Sequence, residues 1–199
     1  MRYYVIDLDG PNYQFLANLR LVIAELTDTP VDELPMPGDE WSLNLDDWGI
    51  QRKHFDVAYS LGVLNHGLLW EGEPSEGAAQ GWAEIASLPD TYIHVVTSRN
   101  PFGAEAEAHE ATNFWLSGHG MVYDAIDFAH DKVPAVRANI TREGFAEEDL
   151  QIYTIDDKTA NCNAFAGAGW HSYVYDGVSN EGLNLPRVSS MYEFAQVTT

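Results

Sequence analysis

The chain has 199 residues, of which 45% are hydrophobic, and its 31 acidic residues against 10 basic ones give a formal net charge of -21. Such a surface repels phosphodiester backbones, which excludes a general nucleic-acid binder. The length suffices for one hydrophobic core with a small insertion. No apolar run is long enough to cross a bilayer, and the single cysteine, Cys162, excludes an internal disulfide. We therefore expect a cytoplasmic protein without membrane contact.

The first part of the chain opens with one strand and then turns helical. Residues 3–6 form a short apolar run that predicts a buried strand ending before Asp7. The pattern then predicts helices over 13–26 and 51–64, separated by a loop over 29–49 that is rich in Pro, Gly and Asp. A further helix is predicted over 75–88, with Ser75 as its N-cap.

From there on, strands and helices alternate. In chain order, the pattern predicts a strand over 92–96, a helix over 104–117, a weaker strand within 121–128, a helix after Lys132, a strand over 151–155, a helix over 158–168, a strand over 172–175 and a last helix from Ser189 or Ser190 to residue 197. Such alternation predicts a parallel sheet between helices, with ligands bound beyond the carboxyl ends of its strands.

These elements predict an α/β protein with a parallel sheet covered by helices on both faces. We expect the core to comprise residues 1–10 and 76–199, and residues 11–75 to form a small helical cap inserted after the first strand. A cap at that point would lie over the strand ends.

Two acidic pairs stand at predicted strand ends. Asp7 and Asp9 follow the first strand, and Asp156 and Asp157 follow the strand over 151–155. Carboxylates brought together in this way repel one another unless a cation such as Mg²⁺ binds between them. Each pair taken alone is equally compatible with a solvated turn or a helix cap.

Other polar groups could bind a phosphate at the same edge. Thr97 and Ser98 offer hydroxyls and backbone amides, and Lys132 precedes a predicted helix. Alone, Thr97 and Ser98 are typical of ordinary turns, and Lys132 is more readily explained as a surface lysine.

Taken together and in this order, the groups resemble the four motifs of the haloacid dehalogenase superfamily of phosphohydrolases. The first motif matches Asp7-Leu8-Asp9-Gly10, the second Thr97, the third Lys132 with Lys158 as a competing candidate, and the fourth Asp156-Asp157. Pro11 departs from the Thr or Val usual after the glycine. The resemblance covers residues 1–10 and about 76–177 and implies a Rossmann-like core.

The resemblance also implies roles for these residues. Asp7 would be the nucleophile that forms an aspartyl-phosphate, and Asp9 the general acid and base. Mg²⁺ would bind the Asp7 carboxylate, the backbone carbonyl of Asp9, and Asp156 or Asp157. Phosphate contacts would come from Thr97, Ser98 and Lys132.

Within the superfamily, the chain looks most like the 5'(3')-deoxyribonucleotidases. The likeness rests on the adjacent Asp156-Asp157, the Thr97-Ser98 pair, the helical cap, and Asn180 and Arg187 near the end of the chain. It implies a 5'-nucleotidase acting on (deoxy)nucleoside monophosphates and leaves a homodimer open. Alternatives are a phosphatase of sugar phosphates or other small phosphate esters, and a catalytically silent binding protein with this fold.

Aromatic residues of the cap are candidates for contact with a nucleobase. They are Trp41, Trp48, Phe55, Tyr59 and Trp70, and any one of them taken alone is more readily explained as core of a small subdomain. Arg99 follows the Thr-Ser pair and could contact the phosphate or close the cap, or form a surface ion pair. The acidic surface is explained by solubility or by adaptation to high salt.

Overall fold

The structure is a computed structural model that describes residues 1–35, 48–177 and 180–199. Within these ranges, six parallel strands form one sheet in the order β3-β2-β1-β4-β5-β6. The strands are β1 (Arg2–Ile6), β2 (Thr91–Thr97), β3 (Ala125–Phe128), β4 (Gln151–Asp156), β5 (His171–Tyr175) and β6 (Arg187–Val188). The predicted α/β class with a parallel sheet is confirmed, whereas β6, with two residues, is too short to leave a pattern.

Seven α-helices connect or follow the strands in the described part of the chain. They are α1 (Phe15–Thr27), α2 (Arg52–Asn65), α3 (Ala78–Ser87), α4 (Glu105–Gly118), α5 (Lys132–Arg142), α6 (Thr159–Gly167) and α7 (Met191–Thr198). The 3-10 turn Val31–Glu33 follows α1, and the 3-10 turn Glu147–Asp149 precedes β4. No helix in the described ranges has the length and apolarity needed to cross a membrane.

Ser75 and Ser190 are both candidates for the N-terminal end of a helix, and only Ser190 caps one. Ser190 caps α7, because its side chain accepts a hydrogen bond from the backbone N–H of Glu193 at 3.1 Å. The prediction for Ser75 is wrong, since α3 begins at Ala78 after Gly77. Ser75 instead donates to the backbone carbonyl of Gly10 at 3.2 Å and accepts from Gln14 Nε2 at 2.8 Å. It therefore joins the segment before α3 to the loop after β1.

Both faces of the sheet are covered. Successive side chains of a strand point to opposite faces, and in β1 Tyr4 and Ile6 pack into one buried cluster while Tyr3 and Val5 pack into another. The first cluster contains side chains of α1, α2, α3, α4 and α7, and the second contains side chains of α5 and α6. Apolar side chains thus exclude water from both faces of the central strands, and this packing holds the ends of β1 and β4 in place.

The two helices between β1 and α3 share the first cluster with the sheet. Leu19 and Val22 of α1 and Phe55 of α2 are buried with Tyr4 and Ile6. The division into a core and a cap over 11–75 stays a prediction. Trp41, one of its aromatic candidates, falls outside the described residues.

Candidate active site

Three buried carboxyl groups meet where β1 and β4 end. Asp7 directly follows β1, Asp156 is the last residue of β4, and Asp157 comes next. The register pairs Ile6 with Ile155, so Asp7 and Asp156 leave neighbouring strands side by side. One carboxylate oxygen from each of the three lies within 4.8 Å of the others. The two predicted acidic motifs therefore come together at one edge of the sheet.

Lys132 at the start of α5 joins two of these carboxylates. Its Nζ lies 2.7 Å from Asp7 Oδ1 and 2.7 Å from Asp156 Oδ2, and its side chain is only 3% exposed. Burial lowers the pKa of a lysine, but the two carboxylates outweigh it and hold the pKa of Lys132 above its ordinary value. The competing Lys158 is exposed, and its backbone N–H donates to Asp156 Oδ1 at 2.9 Å. This geometry favours Lys132 as the basic group nearest Asp7.

The donor set fits a hard divalent cation. Burial raises the pKa of Asp7 to about 7, and Lys132 opposes this shift. One ammonium group faces three carboxylates in the cluster, so an added cation would relieve their mutual repulsion. Carboxylate oxygens are the ligands that Mg²⁺ prefers. The buried aspartate cluster could therefore hold a metal ion.

Two contacts fix the position of Asp157. Gly10 has a φ of +92°, and a Cβ there would lie 2.4 Å from Asp157 Oδ2, so only glycine fits without displacing the carboxylate. On the other side, Asn180 Nδ2 donates to the backbone carbonyls of Asp157 at 2.9 Å and Tyr175 at 2.8 Å. Arg187 in turn donates to Asn180 Oδ1 at 2.7 Å. The two residues singled out near the end of the chain thus support the acidic cluster.

Asp9 is held by Arg99 and stands apart from the three-carboxylate cluster. Arg99 donates from one terminal nitrogen to Asp9 Oδ1 at 2.7 Å and from Nε to Oδ1 and Oδ2 at 3.1 and 3.2 Å. Arg99 is completely buried. Its partner is an acid of the first motif and it has no exposed surface, so the alternative of a surface ion pair is wrong.

Thr97 and Ser98, at the end of β2, have different surroundings. Thr97 is fully buried, and its Oγ1 has no hydrogen-bond partner among the described residues. Ser98 lines the cavity and donates to the backbone carbonyl of Ala129 at 3.2 Å. A buried hydroxyl without a partner is costly, which makes Thr97 Oγ1 a candidate donor for a ligand.

A cavity of about 480 Å³ opens over Asp7, Asp9 and Lys132, a size typical of small-molecule sites. Phe55 and Tyr59 line it, whereas Trp48 is buried and donates from Nε1 to the carbonyl of Pro35 at 2.7 Å. Trp70 is half-exposed and lines a different groove with Phe114. The aromatic candidates of the described residues therefore divide evenly between the cavity and other places.

Several lining residues were not singled out from the sequence. They are Phe15, Asp56, Asn100, Pro101, Phe102, His130 and Asn161. Asn161 could have been found, because it lies in the first turn of the helix that follows the acidic pair, and it donates to both oxygens of Asp156 at 3.1 and 3.0 Å. Phe15 and Phe102 carry no such signal, since single aromatic residues near helix starts are common.

No family model matches the sequence, but solved structures share its architecture. A haloacid dehalogenase-like family hydrolase from Streptococcus pneumoniae has a TM-score of 0.62 at 13% identity, covering 100% of this chain and 99% of that chain. The D,D-heptose 1,7-bisphosphate phosphatase of Burkholderia thailandensis has a TM-score of 0.53 at 13% identity, covering 100% and 98%. The chain has the haloacid dehalogenase fold, as its motifs predict.

One sequence relative resembles the chain more specifically than the solved structures do. A protein of Chlorobaculum tepidum named "Putative 5'(3')-deoxyribonucleotidase" is 29% identical over 189 residues, which cover 93% of this chain and 84% of that protein. The resemblance to the superfamily, and within it to the deoxyribonucleotidases, is thus confirmed. The fold is thus that of the haloacid dehalogenase-like hydrolases, and the relative carries the name of a nucleotidase.

Proposed function

We propose that the protein is a Mg²⁺-dependent phosphomonoester hydrolase that forms an aspartyl-phosphate on Asp7 and acts on (deoxy)nucleoside 5'-monophosphates. One observation carries the proposal: Asp7 lines the cavity, lies 2.7 Å from the ammonium group of Lys132 and belongs to the three-carboxylate cluster. A nucleophilic carboxylate beside fixed positive charge is what attack on an anionic phosphate ester requires.

The metal would be held by Asp7 and Asp157, together with the backbone carbonyl of Asp9. Both oxygens of Asp156 already accept from Lys132, from Asn161 and from the backbone N–H of Lys158, so Asp156 has little capacity left for an ion. When bound, Mg²⁺ supplies positive charge that reduces the repulsion between a phosphate and the carboxylates.

The chain's own residues account for both halves of the reaction. An Asp7 oxygen attacks phosphorus, the bond to the leaving oxygen breaks, and that oxygen keeps the electron pair and takes a proton from Asp9. Water then attacks the phosphorus of the aspartyl-phosphate and gives its proton to Asp9. The Asp7–phosphorus bond breaks, which restores the Asp7 carboxylate and releases inorganic phosphate.

Lys132 and Thr97, the last residue of β2, would stabilise the transferring group. Lys132 places its charge at the nucleophile, and Thr97 Oγ1 supplies a hydroxyl donor at the end of the neighbouring strand, whereas the hydroxyl hydrogen of Ser98 is already donated to the carbonyl of Ala129. Donors fixed before the reaction stabilise the charge that develops on the phosphoryl oxygens.

The leaving group would be recognised by the aromatic part of the cavity. Phe15, Phe55, Tyr59 and Phe102 line it, and the rings of Phe15 and Tyr59 lie 5.0 Å apart. Flat apolar surface of this kind suits a nucleobase. The Chlorobaculum tepidum relative, named for deoxyribonucleotide hydrolysis, supports the same substrate class.

Release of inorganic phosphate from a panel of nucleoside monophosphates and sugar phosphates, with Mg²⁺ present, tests the proposal. We expect at least one nucleoside 5'-monophosphate to exceed every sugar phosphate in kcat/KM, and Asp7→Asn to abolish release. Asp149→Asn removes an exposed carboxylate outside the site and serves as the matched control. Full turnover by Asp7→Asn, with deamidation excluded, would contradict the aspartyl-phosphate.

A sugar-phosphate phosphatase is the second candidate. It is favoured by the structural likeness to a heptose bisphosphate phosphatase and by the polar lining residues Asp56, Asn100 and Asn161, which could bind hydroxyl groups. The same panel separates the two, because a sugar phosphatase would leave the nucleotides among the poorest substrates.

A further inference from the structure

Arg99 lies behind Asp9 as seen from the cavity. Asp9 lines the cavity, whereas Arg99 does not and has no exposed surface. The guanidinium group nevertheless makes three contacts with the Asp9 carboxylate, the shortest of 2.7 Å. Arg99 therefore touches no bound phosphate in this arrangement, and any effect it has on the reaction passes through Asp9.

The guanidinium group is itself fixed from two further sides. Its remaining terminal nitrogen donates to Thr112 Oγ1 of α4 at 3.2 Å, and its carbon lies 4.6 Å from the centre of the Tyr13 ring. Tyr13 is anchored in turn: its hydroxyl donates to the carbonyl of Glu71 at 3.0 Å and accepts from the N–H of Leu69 at 3.2 Å. The guanidinium group of Arg99 is thus held in place by contacts that do not involve Asp9.

We propose, on the basis of the function proposed above, that Arg99 is a positioning residue that holds the Asp9 carboxyl in the orientation from which it transfers protons. A planar guanidinium group that donates to both oxygens fixes the rotation of a carboxyl group, which a point charge cannot do. Proton transfer needs the donor within hydrogen-bond reach of the leaving oxygen, so a freely rotating carboxyl would often face the wrong way.

The contacts also distinguish the two oxygens of Asp9. Oδ1 accepts from two nitrogens of Arg99, whereas Oδ2 accepts from Nε alone at 3.2 Å. Each carboxylate oxygen can accept about two hydrogen bonds. Oδ2 therefore keeps the larger capacity for a proton, and we assign it as the oxygen that protonates the leaving group and later accepts the proton of water.

The experiment compares two leaving groups. p-Nitrophenolate departs without protonation, whereas the alkoxide of the best alkyl phosphate in the substrate panel needs a proton. The value of kcat/KM for each substrate reports the steps up to departure of the leaving group. Arg99→Lys keeps the buried charge but loses the planar fork. Arg137→Lys is the matched control, since Arg137 is half-exposed and pairs with Glu147 at the surface.

We expect Arg99→Lys to lower kcat/KM for the alkyl phosphate about 100-fold, which is a loss within the range of general acid catalysis. The value of kcat/KM for p-nitrophenyl phosphate should change less than about 3-fold, because its leaving group needs no proton. Arg137→Lys should change neither. A merely structural role of Arg99 would lower both values by the same factor, and that result would overturn the proposal.

A double substitution gives a second readout. In Asp9→Asn, residue 9 can no longer transfer a proton, so its orientation ceases to matter, and Asp9→Asn/Arg99→Met should be no slower on the alkyl phosphate than Asp9→Asn alone. A further large loss in the folded double variant would contradict a role through Asp9. The double variant leaves no lone buried charge, so it remains usable if Arg99→Met alone fails to fold.

Failure of the proposal is distinguishable from failure of the proposed function. If the wild type releases no phosphate from any ester, or if Asp7→Asn retains turnover, the phosphatase assignment falls and the positioning role falls with it. If the wild type and Asp7→Asn behave as expected while Arg99→Lys treats both leaving groups alike, only the positioning role is refuted.

Discussion

Replacing Gly10 by alanine tests how the first motif and the acidic pair fit together. The Cβ of Gly10→Ala would lie 2.4 Å from Asp157 Oδ2, where ordinary contact begins at 3.4 Å. The carboxylate therefore has to move by about 1 Å, and a displacement of that size within an active site can cost about 100-fold in rate. Because Asn180 holds the Asp157 backbone at 2.9 Å, the movement cannot be spread easily along the chain.

Gly144→Ala is the matched control. Gly144 also has a positive φ, of +73°, but a Cβ there meets nothing within 4 Å. Both substitutions carry the cost of a left-handed backbone, about 1 kcal/mol in free energy of unfolding. Only Gly10→Ala adds the contact with Asp157, so the difference between the two variants isolates that contact.

The assay combines urea unfolding in EDTA with Mg²⁺ titration of phosphate release. We expect Gly144→Ala to keep wild-type rate and Mg²⁺ dependence at slightly lower stability. Gly10→Ala should be less stable than Gly144→Ala, need more Mg²⁺ for half-maximal rate, and remain slower at saturating Mg²⁺. Equal rates and equal Mg²⁺ dependence in the two folded variants would refute the reasoning, since Asp157 would then not depend on its contact with Gly10.

Three further predictions concern the metal, the cavity and acid stability. Exhaustive treatment with EDTA should abolish phosphate release, Mg²⁺ should restore it, and full activity of the chelated protein would contradict the metal site. Phe55→Ala or Tyr59→Ala should raise KM for a nucleotide about 5-fold or more with little change for p-nitrophenyl phosphate, whereas Trp70→Ala should alter neither. Burial lowers the pKa of His94 to about 4, although Asp127 at 2.9 Å opposes the shift. The unfolded chain therefore binds a proton that the folded chain does not between pH 6.5 and 4, so stability should fall by up to about 3 kcal/mol as pH falls through that window. Chemical unfolding at pH 7 and pH 4.5 should show a smaller loss in His94→Gln, and an equal loss would exclude His94 as the cause.

His94 is buried among polar partners that could not be predicted from the sequence. Asn139 Nδ2 donates to the Tyr3 hydroxyl at 2.7 Å, and that hydroxyl lies 2.8 Å from His94 Nδ1. The other ring nitrogen, Nε2, lies 2.9 Å from Asp127 Oδ2. Both ring nitrogens therefore have polar partners inside the protein. No spacing in the sequence connects residues 3, 94, 127 and 139, because they come from four different elements.

The order of strands and helices could be predicted because hydrophobic periodicity is a local property. The apolar runs before Asp7, Thr97 and Asp156 indicated strands, and parallel strands end at one edge of a sheet, so the meeting of Asp7 with Asp156 and Asp157 followed from the pattern. Local signals were insufficient at Ser75, whose side chain finds tertiary partners instead of a helix end.

By itself, the sequence determined the α/β class, the strand ends that carry the acidic pairs and the superfamily they resemble. Only the tertiary structure decided that Lys132 and not Lys158 lies between Asp7 and Asp156, that Arg99 binds Asp9, and that Phe102 lines the cavity while Trp48 does not. The physical reason is that a sequence pattern describes one element at a time, whereas these contacts join residues far apart in the chain. Periodicity tells which face of an element is apolar, but the distance between side chains of different elements depends on strand order and on how each helix is rotated against the sheet.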